Sequence, residues 1–99
     1  MVRRINEGID INLKRLQGGF NPWYQDTVYY NGDKFVITAA VFEDPSKYGI
    51  KNGRISKLDI VQKDKDGNKI DSCSYDRGWV GKPKGDIKVV FDALIDQYN

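Results

Sequence analysis

Two arginines stand among aromatic and glycine residues: Arg54 in the run Tyr48-Gly49-Ile50-Lys51-Asn52-Gly53-Arg54-Ile55-Ser56-Lys57-Leu58, and Arg77 in Tyr75-Asp76-Arg77-Gly78-Trp79. A guanidinium fork binds carboxylate or phosphate through paired hydrogen bonds, and a neighbouring Tyr or Trp adds stacking or cation–π contacts. Tyr48, Arg54, Lys57, Tyr75, Arg77 and Trp79 are therefore the candidate binding residues. Together they suit an acidic protein surface, a nucleotide or a nucleic-acid strand. The competing assignment is structural: Arg77 closes a loop and pairs with Asp76 or Asp44, while Trp79 seals one end of the core.

Catalytic chemistry has little to build on. The chain has no histidine, which removes the commonest general base, the triads that depend on it and imidazole metal sites. Glu43, Asp44, Asp59 and Asp76 are the carboxylates near strand ends, but extended backbone points the adjacent Glu43 and Asp44 to opposite faces. A metal-dependent hydrolase built on them is the weakest of three hypotheses. The run Asp64-Lys65-Asp66-Gly67-Asn68 has the look of a calcium loop, yet Gln62 and Cys73 occupy the first and last ligand positions. It reads as a hairpin turn. Glycines 78, 81 and 85 fit no phosphate-binding pattern. No catalytic residue, metal or cofactor is expected.

Ninety-nine residues, 39% apolar and 30% charged, make a single domain over 1–99. A net charge of +2 does not by itself imply a polyanionic partner. Local basic clusters lie at Arg3, Arg4, Lys14 and Arg15 and at Lys82 and Lys84. The lone Cys73 cannot form an internal disulfide and reads as a small buried apolar residue of a reducing compartment. No segment resembles a signal peptide or a membrane span.

The elements that must position these residues follow from periodicity. Residues 1–20 form an N-terminal arm in which Ile5, Ile9, Leu13 and Leu16 recur at helical spacing while Ile9, Ile11 and Leu13 alternate as in a strand. The favoured reading is a helix closed by Gly18-Gly19. Two β-rich runs flank Asn31-Gly32, the strongest short hairpin signal. The second of them, with Phe35, Ile37, Ala39 and Val41 on one face and Val36, Ala40 and Phe42 on the other, should be central and covered on both sides. A second hairpin turns at 64–68, and 79–85 reads as a loop. Asp86 is placed to cap a helix over 86–98, whose Ile87, Val90, Phe91, Leu94, Ile95 and Tyr98 form an apolar stripe. The expected fold is α+β: a four-stranded, mainly antiparallel sheet of two hairpins over 23–79, with the C-terminal helix on one face and an N-terminal arm or helix.

The segments Tyr-Gly-Ile-x-x-Gly-Arg-Ile-Ser-Lys-Leu at 48–58 and Tyr-Asp-Arg-Gly-Trp at 75–79, with the helix ending Gln97-Tyr98-Asn99, resemble a family of small uncharacterised proteins from phages and mobile elements of Gram-positive bacteria. The resemblance spans roughly 23–99. Its pattern places an aspartate after the tryptophan, where this chain has Val80. It implies a bacterial cytoplasmic location and no particular activity. The expected function is that of a small non-enzymatic binding protein that modulates or blocks a host protein, such as one of a defence system. The alternative is a nucleic-acid or nucleotide-binding protein using Arg54 and Arg77 on phosphate and Tyr48 and Trp79 for stacking. A homodimer through sheet edges is compatible with either; a membrane partner is not expected.

Overall fold

The computed structural model describes residues 9–17 and 22–99. Asn31 (φ 58°) and Gly32 (φ 88°) form the two-residue turn between β2 (Trp23–Tyr30) and β3 (Asp33–Val41), and Tyr30 pairs with Asp33 across it. Both central residues sit in the left-handed region, as this kind of turn demands. β4 (Ile55–Lys63) pairs with β3, and a turn closed by Asp64 leads into β5 (Lys69–Asp76). There Asp64 Oδ1 accepts the N–H groups of Asp66 and Asn68, each at 2.9 Å.

The sheet has six strands rather than the expected four. A two-residue β1 (Lys14–Arg15) lies along β2, and β6 (Trp79–Gly81) returns along β5, giving an antiparallel meander in chain order. β6 is three residues long and contains a glycine, so no periodicity marks it in the sequence.

The described part of the N-terminal arm, residues 9–17, is extended, which overturns the helix reading there. Ile9 and Ile11 are buried while Asp10 and Asn12 are exposed, a period of two. The Asn12 N–H donates to Asp26 Oδ2 at 2.9 Å, while Ile9, Ile11 and Leu13 bond to side chains near the chain's other end. Gln97 accepts from the Ile11 N–H and donates to the Ile9 carbonyl, both at 3.2 Å. Tyr98 Oη accepts from the Leu13 N–H and donates to the Ile11 carbonyl, both at 3.0 Å. The expected Gly18-Gly19 stop and the Arg3 and Arg4 half of the basic cluster lie outside the described residues.

The helix α1 spans Gly85–Tyr98 and buries Ile87, Val90, Phe91, Ala93 and Leu94 against Phe35, Ile37, Leu58, Ile60 and Cys73. Asp86 does not cap it. The capping position is Lys84, with no side-chain bond, and Asp86 sits in the first turn, where its carboxylate meets the positive end of the helix and accepts from Asn31 Nδ2 at 3.3 Å. Burial pushes the Cys73 thiol up to about 11, leaving it protonated and unreactive near neutral pH. β3 is central, yet it is not covered on both faces: on the face away from the helix Ala40 is buried, but Val36 is half-buried and Phe42 exposed.

Candidate functional site

At the end of the sheet where β3 leaves and β4 begins, a slip in register between Ala40 and Val41 moves the pairing from Lys57 to Ile55. Such irregularities bend a strand and re-aim its side chains. Phe42 N–H still reaches the Arg54 carbonyl at 3.0 Å. Beyond it Glu43, Asp44 and Pro45 leave the sheet and form one wall of an open cleft of about 900 Å³.

Three predicted residues meet in this cleft: Tyr48, Lys57 and Arg77. Arg77 sits at the tip of the turn joining β5 to β6, at φ 58°, a conformation rare for a residue with a side chain. Its N–H donates to the Ser56 carbonyl at 3.1 Å, and its Nε lies 3.7 Å from Asp76 with both side chains more than half exposed. That pair is long and solvated and holds Arg77 only weakly. Arg15, Tyr24 and Phe42 complete the wall. The Arg15 guanidinium lies 5.7 Å from the centre of the Tyr24 ring, and Lys47 Nζ 5.3 Å from that of Tyr48. The cleft thus offers three cations, three aromatic rings and the two carboxylates of Glu43 and Asp44. Arg15 was visible in the sequence as part of a basic cluster. Nothing local could assign Tyr24 to the site, because the register of β1 on β2 brings it beside Arg15.

The other three candidates do different work. Arg54 turns away to the C-terminus of α1, donating from Nε at 3.2 Å and from Nη2 at 2.7 Å to the Tyr98 carbonyl. A cation there also meets the negative end of the helix. Tyr75 Oη donates to the Tyr48 carbonyl at 3.0 Å, and its ring meets Trp79 edge-on at 4.9 Å. Trp79 in turn meets Phe91 of the helix at 5.5 Å. These two aromatics close the core and line a smaller cleft of about 430 Å³ with Lys51, Lys82 and Lys88.

The glycines of the 48–58 motif belong to the same structural task. A Cβ on Gly49 would overlap the Gly53 carbonyl, and one on Gly53 would overlap the Asn99 amide. That amide accepts from the Ile55 N–H at 3.1 Å and donates to the Ile50 carbonyl at 2.8 Å. Among the described residues no group of three or more Asp, Glu, Cys or His stands close enough to hold a metal ion, and no helix is long and apolar enough to cross a membrane.

Residues 22–99 match the family described as Domain of unknown function (DUF7678). The chain belongs to this family. Within it, the DUF7678 domain holds β2 to α1, the whole 48–58 motif and the Arg77 turn, and leaves the arm with β1 outside the matched stretch. No curated protein and no solved structure matches the chain.

Proposed function

We propose that this domain is a non-enzymatic binding protein of phage or mobile-element type, which modulates a host protein by seating an acidic, partly apolar segment of it in the cleft of Tyr48, Lys57 and Arg77. The observation that carries the reading is the charge state of that cleft. Arg15 lies over an aromatic ring, and Arg77 has only a long, solvated contact with Asp76. Such groups are available to a partner's carboxylates, with Phe42, Tyr24 and Tyr48 as apolar ground. Glu43 and Asp44 on the same wall favour a partner of mixed charge over a uniform polyanion. The lack of histidine in the chain argues for recognition rather than catalysis.

The nucleotide reading as first framed would need Arg54 to leave the Tyr98 carbonyl and Trp79 to leave Phe91. Edge-to-edge dimerisation has little to use, since the edge strands are two and three residues long.

The test is retention of a host protein from a Gram-positive extract by the immobilised domain, compared with Lys57→Glu and Arg77→Glu. The reading predicts one protein held in near-equal amount by the wild type, weakened by added salt and lost in both variants at unchanged melting temperature. Equal retention by both variants would remove the cleft from consideration.

A further inference from the structure

The end of the sheet opposite the cleft carries an arrangement that folding does not explain. Lys34 on β3 pairs in register with Lys63 on β4, Lys63 pairs with Lys69 on β5, and Tyr29 on β2 stands opposite Lys34. Four neighbouring strands therefore present Tyr, Lys, Lys and Lys in one row. Their chain neighbours Val28, Phe35 and Gln62 are buried on the helix side, so alternation turns Tyr29, Lys34 and Lys63 to the helix-free face, and Lys69 joins them through its pairing with Lys63, at a slip in register after Gln62.

Like charges directly opposite one another destabilise a sheet. Among the described residues the ion pairs join Arg77 to Asp76, Lys84 to Asp71 and Lys88 to Asp92, and none involves these three lysines. Tyr29 is 73% exposed. It borders, with Lys34 and Lys65, a shallow depression of about 400 Å³. Asp64 and Asp66 border it too, but Asp64 Oδ1 is taken up by two N–H groups of its own turn. Across the sheet the helix itself carries Asp86, Asp92 and Asp96 against the single Lys88.

We propose that this row binds single-stranded nucleic acid, with Lys34, Lys63 and Lys69 on successive phosphates and Tyr29 stacked on a base. The row crosses three inter-strand steps, about 14 Å, the reach of about four stacked nucleotides. Lysines on phosphate and an exposed ring on a base are the two components of sequence-tolerant single-strand binding. The surface is distinct from the cleft and does not depend on the reading given for it.

The test is fluorescence anisotropy of labelled oligo-dT and oligo-rU of about twelve nucleotides, from about 50 mM salt upward. Three phosphate contacts predict a slope of about −2 in log K against log salt. Replacing all three lysines by Gln should weaken binding at least tenfold while the melting temperature holds or rises, because mutual repulsion is removed. Lys63→Gln alone should flatten the slope by about 0.7, and Lys63→Arg should restore it. Tyr29→Ala should weaken binding by about tenfold at an unchanged slope. The proposal is overturned by no binding at the lowest salt, by triple-variant binding equal to wild type, or by equal loss in Lys57→Glu. Binding to anionic phospholipid vesicles without binding to either oligonucleotide overturns it as well.

Discussion

Arg54 and Arg77 look alike in sequence, each flanked by glycine and near tyrosine, yet the fold gives them opposite roles. Arg54 is half-buried and spends two donors on the last carbonyl of the helix, so it ties the 48–58 motif to the chain's end. Arg77 is exposed at a turn tip, with a 3.7 Å contact to a solvated aspartate. An arginine next to aromatic residues becomes structural when a free carbonyl lies within reach, and helix C-termini supply such carbonyls. Arg77 has no helix end beside it, and its fork stays open to solvent and to ligands.

The comparison breaks most visibly at Gly49. Gly49→Ala forces a methyl group into the Gly53 carbonyl, and the expected loss is about 3 kcal/mol, seen as a lower urea midpoint. A near-neutral result would mean that the motif is not built around this close approach. Next in size is Arg54→Ala, which removes two charge-assisted bonds to Tyr98 and should cost about 2 kcal/mol, with Arg54→Lys recovering part of it.

Tyr98→Phe sharpens the same side of the comparison. It strips the hydroxyl that serves Leu13 and Ile11, for an expected loss of about 1 kcal/mol, with faster amide exchange at Leu13 as the local sign. The Arg77 side should barely respond. Arg77→Ala is expected within about 0.5 kcal/mol of wild type, and Arg77→Gly should be more stable than Arg77→Ala by about 1 kcal/mol because glycine accepts the left-handed backbone. Loss of more than about 2 kcal/mol in Arg77→Ala would make Arg77 structural as well.

Much of the architecture is legible from local pattern. Asn31-Gly32, the β-rich runs that flank it and the apolar stripe of the helix each specify an element without help from distant residues. The arm is different, since its apolar residues satisfy both a helix and a strand template. The partners that decide, Gln97 and Tyr98, lie more than eighty residues away and act through side chains. The candidate site was legible by half. Tyr48, Lys57 and Arg77 meet as their residue types suggest, whereas Arg54, Tyr75 and Trp79 are spent on the helix end and the core.

By itself, the sequence determined the α+β class, the two hairpins and the helix, because these depend on residue type and short-range spacing. Tertiary structure alone decided which arginine is free, what holds the arm, and that Lys34, Lys63 and Lys69 stand in one row. Each of those depends on register and on which polar groups folding leaves unpaired, and neither is set by a residue's neighbours in the chain.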